Sequence, residues 1–237
     1  MPRQEDASAK MFVKICGITN EEDALLSVAL GADALGFIFA PSRRRVTPSL
    51  VTDIVKRLPS DVLTFGVFVN EDVNTVARIV NEAGLTGAQL HGTEGRQSAA
   101  AIRPKVRFLI KAVAGDAMAI SKYLDFPVDA ILVDSEQPGS GRAFDWSLLD
   151  ASHINKRIIL AGGLGPNNVA EAIRICHPWG VDVSSGVESS VGHKDPVALR
   201  AFISSARSAF SEIAEKEKSA HTEQENRPEA FNWEEYL

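Results

Sequence analysis

The sequence predicts an α/β protein: a single (β/α)8 barrel of the TIM type, with a short N-terminal and a longer acidic C-terminal extension. Three observations lead there. Short β-rich runs alternate with amphipathic helical patterns along the body of the chain. The runs are rich in Val, Ile, Leu and Phe with little polar alternation, the pattern of strands buried on both faces of a parallel sheet. Eight such β-then-α units fit in the chain, and roughly 200 residues suffice to close a barrel of that kind. An open doubly wound sheet is the competing arrangement, but the first run leads into no G-x-G-x-x-G turn.

In chain order the predicted strands are Met11–Cys16, Ala34–Phe39, Thr64–Val69, Gly87–His91, Phe108–Val113, Ala130–Asp134, Arg157–Ala161 and Val181–Ser184. Helical patterns fill the gaps at Glu22–Leu30, Ser49–Leu58, Val73–Ala83, Glu94–Ile102, Met118–Tyr123, Trp146–Leu149 and Asn167–Ile175, and Pro196–Phe210 follows the last strand. Pro48, Pro166 and Pro196 fall near helix starts, where a missing N–H costs least. Gly31 and Gly84 fall where helix ends call for a left-handed residue. Gly31-Ala32-Asp33-Ala34 and Gly180-Val181-Asp182-Val183 read as one repeated passage from helix end to strand. The barrel is expected to occupy residues 11–211, with an extension over 1–10 and a tail over 212–237.

Composition narrows the function. The chain has 45% apolar and 24% charged residues, which are globular values. No apolar run approaches the roughly 18 residues of a membrane span, so no membrane partner is expected. Met1-Pro2-Arg3-Gln4-Glu5-Asp6 is polar and contains acids, unlike a secretory leader. The two cysteines are far apart and lack metal-ligand spacing, which points to a reducing cytoplasm. Of the net charge of -6, the segment from Glu212 onward carries -5, so the body is near neutral. That excludes a basic nucleic-acid surface and leaves room for local positive sites around an anion.

Catalysis in such a barrel takes place at the carboxyl ends of the strands. The first strand ends in Cys16, the fourth in Gln89 and His91, the sixth in Asp134. Free cysteine usually packs as a small hydrophobe, but a rigid strand end is also where a reactive thiol is best held. Asp134 would be carried to the rim of the mouth. Arg43-Arg44-Arg45 follows the second strand, where one guanidinium of the three suits a carboxylate. Gly162-Gly163-Leu164-Gly165 and Ser184-Ser185-Gly186-Val187-Glu188 follow the last two strands. Glycine lets backbone N–H groups close on an anion, and these two loops form the recurrent phosphate cradle of the fold. Gly139-Ser140-Gly141 reads as a lid or a third wall. Cys176 and His177 form no dyad, because neighbouring helical side chains diverge.

The motifs Lys14-Ile15-Cys16-Gly17-Ile18-Thr19, Gly36-Phe37-Ile38-Phe39, Gly66-Val67-Phe68-Val69-Asn70, Gln89-Leu90-His91-Gly92, Gly139 to Trp146, Ala161-Gly162-Gly163-Leu164 and Val181 to Glu188 occur in this order. Together they resemble the N-(5′-phosphoribosyl)anthranilate isomerases of tryptophan biosynthesis, from about Phe12 to Phe210. The resemblance implies an Amadori rearrangement by acid–base chemistry, with no metal and no organic cofactor. It implies Cys16 as general base and Asp134 as general acid. It places substrate contacts at Arg45, His91, Gly141, Gly162, Gly163, Asp182, Ser184, Ser185 and Gly186, with Arg45 on the anthranilate carboxylate. The implied partner is the phosphoribosylated anthranilate, and the assembly a monomer or homodimer. Another phosphosugar isomerase, or a non-catalytic barrel that binds a phosphorylated metabolite, would share the glycine loops but not the Cys16–Asp134 pair. Phe231, Trp233 and Tyr236 near the C-terminus read as a docking segment within a solvated tail.

Overall fold

The computed structural model describes residues 11–115, 120–134, 149, 151–152 and 154–225. Eight parallel strands close into a barrel in sequence order: β1 (Phe12–Cys16), β2 (Ala34–Ile38), β3 (Leu63–Phe68), β4 (Gly87–Leu90), β5 (Phe108–Ala114), β6 (Ala130–Asp134), β7 (Arg157–Leu160) and β8 (Gly180–Val183). Each bound lies within one residue of the sequence expectation. The barrel shuts where β1 pairs with β8, with Phe12 opposite Gly180 and Lys14 opposite Asp182.

Strand period sorts the side chains into two cores. Phe12, Ala34, Phe65, Ile110, Ala112, Ala130, Leu132, Ile159 and Ala161 form a cluster of their own inside the barrel. Val13, Ile15, Leu35, Phe37, Leu109, Ile131, Val133, Leu160 and Val181 join the larger core between strands and helices. The inward parity of β1 is therefore 12, 14, 16, and that of β6 is 130, 132, 134. The same rule turns Gln89, His91, Asp182 and Ser184 toward the interior. Both faces are dry, so the sequence shows little alternation; Lys14, Cys16, Gln89, Asp134 and Asp182 fall on the inward parity, whereas Thr64 and Lys111 are buried on the outward one.

Helices α1 (Glu21–Ala29), α2 (Pro48–Val55), α3 (Val73–Glu82) and α4 (Arg96–Ile102) start from side-chain or backbone caps. The Asn20 side chain accepts from Asp23 N, and Asp72 accepts from Asn74 N and Thr75 N, which satisfies amides the helix itself leaves open. The helix Pro196–Glu225 begins where Asp195 Oδ1 accepts from Val197 N and Ala198 N. Its apolar stripe runs Leu199, Phe202, Ile203, Ala206, Ala209, Phe210, Ile213, all buried. The stripe and the helix both pass the tail boundary expected at residue 212. Glu212 itself is tied to Arg174 of the helix Val169–Cys176. The expected repeat at Asp33 and Asp182 is not structural: Asp33 precedes β2 and binds Val13 N and Arg207, whereas Asp182 lies within β8. Residues 1–10 and the aromatics from Phe231 to Tyr236 lie outside the described residues.

Phe202 is fully buried on the closing helix. Phe202→Ala is expected to destabilise the fold by about 3–5 kcal/mol through lost burial and a residual cavity. Urea unfolding checks this, with the midpoint falling at an unchanged slope.

Candidate active site

All five residues of β1 are buried, and Cys16 ends the strand 6% exposed on the inward parity. Lys14, one layer deeper, is fully buried, and its Nζ donates to Asp182 Oδ1 at 2.8 Å. Gly36 stands opposite Cys16 in the β1–β2 register. A Cβ on Gly36 would lie 2.7 Å from Cys16 Sγ and 2.9 Å from Lys14 Nζ. Glycine there opens the hollow in which thiol and ammonium meet. Burial pushes the Cys16 thiol up, with Asp182 adding to it, while Lys14 and Lys194 pull it down; the net direction is up. For Lys14 burial works downward, but Asp182 and Cys16 outweigh it and leave the ammonium more secure than in water.

Asp134 reaches the mouth from β6, half-buried. His91 Nε2 lies 3.3 Å from its Oδ2. The other ring nitrogen, Nδ1, is 2.9 Å from Gln89 Nε2. With that amide nitrogen as donor, the His91 proton sits on Nε2 and faces Asp134. Gln89 is 1% exposed, and its Oε1 has no hydrogen-bond partner among the described residues. His91, expected as a substrate contact, is thus packed against the expected acid.

The two glycine loops meet at the same end of the barrel. Gly162 and Gly163 both have positive φ, 79° and 67°, a conformation that favours glycine. Asn168 fastens the loop: Oδ1 accepts from Gly165 N and Nδ2 donates to Gly163 O. Gly186, in the 3-10 turn Ser185–Val187, packs on this loop so closely that a Cβ would fall 1.9 Å from Leu164 O. Ser184, Ser185 and Gly186 stay partly or fully exposed beside it. Gly141, the expected third contributor, and the neighbouring strand-six loop lie outside the described residues.

The arginine triplet separates by role. Arg44 Nε and Nη2 donate to the two carboxylate oxygens of Glu188, both at 2.7 Å. Arg45 is exposed, and its guanidinium has no hydrogen-bond or ion-pair partner among the described residues. Glu188 also accepts from Lys194, whose Nζ donates to Cys16 O at 2.8 Å and Ser184 O at 3.1 Å. Lys194 therefore ties the end of β1 to the loop after β8. On the far side of the mouth Lys111 pairs with buried Glu94 at 2.8 Å, and Glu94 accepts from the Asn70 and Gly92 amides. Sequence reasoning missed Lys14, Lys111 and Lys194. For Lys14 and Lys111 the available signal was a lysine inside an apolar strand, which has to be paired to be buried. Among the described residues, no group of three or more His, Cys, Asp or Glu side chains could hold a metal ion. An apolar hollow of about 140 Å³ among Phe12, Phe65, Phe108, Ile110 and Trp179 includes none of these site residues.

The family model described as "N-(5'phosphoribosyl)anthranilate (PRA) isomerase" matches residues 13–205. The chain belongs to that family. A relative from Desulforudis audaxviator, named N-(5'-phosphoribosyl)anthranilate isomerase, is 45% identical over 203 residues, covering 84% of this chain and 99% of the relative. The phosphoribosyl anthranilate isomerase structure from Thermotoga maritima superposes with a TM-score of 0.79 at 41% identity, covering 84% of this chain and 99% of that one. A structure of a family enzyme in complex with reduced 1-(o-carboxyphenylamino)-1-deoxyribulose 5-phosphate has a TM-score of 0.76 at 38% identity, with the same coverage.

Glu188 and Glu94 both titrate below the usual carboxylate range. Burial works against this, but Arg44 and Lys194 outweigh it for Glu188, and Lys111 with the Asn70 amide for Glu94. A carboxylate depressed on folding adds stability above its unfolded pKa, near 4.3, and loses it as pH falls through the folded value. Stability should therefore decline below about pH 4.5. Glu188→Gln should flatten that decline while lowering stability at neutral pH, as seen in thermal melts from pH 3 to pH 7.

Proposed function

We propose that the chain converts N-(5′-phosphoribosyl)anthranilate to 1-(2-carboxyphenylamino)-1-deoxyribulose 5-phosphate, an intramolecular aldose–ketose rearrangement. One observation carries this reading beyond family membership. Cys16 and Asp134, one group able to take a proton and one able to give it, end β1 and β6 on the inward parity of a single barrel mouth.

Asp134 delivers a proton to the furanose oxygen, and the ring opens to a Schiff base. Cys16, as thiolate, then removes the C2′ proton. The electron pair of that C–H bond forms the enolamine, which tautomerises to the ketone. Free thiols, with a pKa near 8.5, are only a few per cent ionised at neutral pH, so the cations around Cys16 matter to the rate. The phosphate is taken by the loops at Gly162–Gly163 and Ser184–Gly186, with Gly141 joining them. The exposed guanidinium of Arg45 takes the anthranilate carboxylate. Arg44 serves by fixing the loop in which Arg45 sits, through Glu188. We assign the reaction to the cytoplasm, where the free thiols of Cys16 and Cys176 stay reduced. The chain works there as a monomer or homodimer. No described helix is long and apolar enough to cross a membrane.

The test is the loss of anthranilate-type fluorescence when the purified chain meets freshly made phosphoribosylanthranilate. Each general acid–base group typically contributes about 10²- to 10⁴-fold in rate. Cys16→Ala and Asp134→Asn should each lower kcat by at least about 10²-fold and leave binding of the phosphorylated product analogue near normal. Turnover close to wild type in either variant would remove that residue from its role. A barrel that only binds would show no fluorescence change at all.

A further inference from the structure

The rearrangement asks for a thiolate in a place that disfavours one. Cys16 is nearly inaccessible, and four charged groups act on its sulfur or its backbone, two of them held in turn by Glu188. Lys14 comes from β1 itself, Asp182 from β8, Lys194 and Glu188 from the hairpin of β9 (Glu188–Ser190) and β10 (His193–Lys194), and Arg44 from the loop after β2. Two of the three cations are already committed. Arg44 gives two hydrogen bonds to Glu188, and Lys194 divides its donors among Glu188, Cys16 O and Ser184 O. Lys14 is different. Its Nζ and the Cys16 sulfur flank the same hollow over Gly36, each within 3 Å of the point a Cβ would occupy, 2.9 Å and 2.7 Å respectively. Its one carboxylate partner, Asp182, sits directly across the closing seam.

We propose that Lys14 is the positioning residue of the base: its ammonium, oriented by Asp182, holds the Cys16 sulfur as a thiolate aimed at the substrate. The inference deepens the isomerase reading and rests on Cys16 being the base. Lys14 keeps its proton throughout. The C2′ proton goes to sulfur, the C–H electron pair goes into the new C1′–C2′ double bond, and the Schiff-base nitrogen takes up the displaced pair. Asp182, expected from the resemblance as a substrate contact, acts here one step removed, through Lys14.

Two readouts separate this role from a merely structural one. The first is the pH dependence of iodoacetamide alkylation at Cys16 in the full-length chain, resolved from Cys176 by peptide mass spectrometry. The second is the pH profile of kcat/KM. In Lys14→Met the midpoint of both should rise by about one pH unit or more, which is about tenfold slower alkylation at neutral pH. The kcat should fall in parallel with KM nearly unchanged, and Lys14→Arg should restore the midpoint part of the way. Removing Lys14 alone strands a buried carboxylate. If that variant does not fold, Lys14→Met combined with Asp182→Asn leaves no unpaired charge and should still raise the midpoint, by less. A midpoint that stays in place or falls in the variant that folds overturns the proposal. Alkylation needs no substrate, so a wild-type chain without isomerase turnover would defeat the function and still report on the Lys14–Cys16 coupling.

Discussion

The ion pair of Lys14 and Asp182 is the constraint from which the rest of the mouth follows. It sits at the one place where the barrel has to close on itself, with each residue the other's register partner across β1 and β8. Both strands are buried along their whole described length. A buried pair of this kind adds little net stability over an apolar pair of the same size, although losing one partner costs about 3–5 kcal/mol. Its presence is better explained by what it fixes. A one-residue slip of β1 against β8 would put a bare ammonium among the helices and turn Cys16 out of the barrel. The pair thus locks both the seam and the direction in which the thiol points.

A second layer of charge sits above the first and orders the loops. Glu188 collects Arg44 from the second unit and Lys194 from the hairpin that follows β8, and Lys194 in turn reaches the carbonyl of Cys16. The first, second and last units are thereby held together at their carboxyl ends. Glu94 and Lys111 do the same for the third, fourth and fifth, since Glu94 takes the Asn70 and Gly92 amides. In both networks an acid accepts from more than one donor. That is how a buried carboxylate remains charged without leaving lone pairs unfilled. The glycine loops between them need no charge to meet, because Gly186 touches the Leu164 carbonyl directly.

The strands were legible because each is a short apolar run set between turn residues, and both ends of all eight agree to within a residue. The strand ends followed, and with them Cys16, Asp134 and the two glycine loops. What stayed hidden was pairing across long separations. Nothing local distinguishes Arg44 from Arg45; the choice is made by Glu188, 144 positions away. Helical pattern extended α4 back to Glu94, but that side chain is engaged by Lys111 and two loop amides, and the helix begins at Arg96. The apparent repeat at Asp33 and Asp182 matched letters without matching strand position, and an offset of a few residues moves an aspartate from a strand-entry cap to the barrel interior. The tail boundary at residue 212 was drawn where polarity rises, while Ile213 still belongs to the core.

The proposed acid and the proposed base are furnished in opposite ways. Cys16 is nearly inaccessible and backed by an ammonium from one layer deeper, whose counter-ion stands directly across the seam. Burial favours the neutral thiol, and Lys14 and Lys194 oppose it. Asp134 stands half-buried at the rim, and its neighbour is an imidazole. One inward position back, on β4, Gln89 holds the far side of that ring. Each proposed proton-transfer group thus has a neighbour that is itself held by a second side chain: Lys14 by Asp182 beside the thiol, His91 by Gln89 beside the carboxyl. The orienting residues come from the strands, the stiffest part of the fold, and the proposed phosphate and carboxylate contacts come from the loops. Proton-handling groups on rigid strands beneath the proposed anion sites suit a reaction whose substrate changes from closed ring to open chain while its phosphate and its carboxylate stay bound.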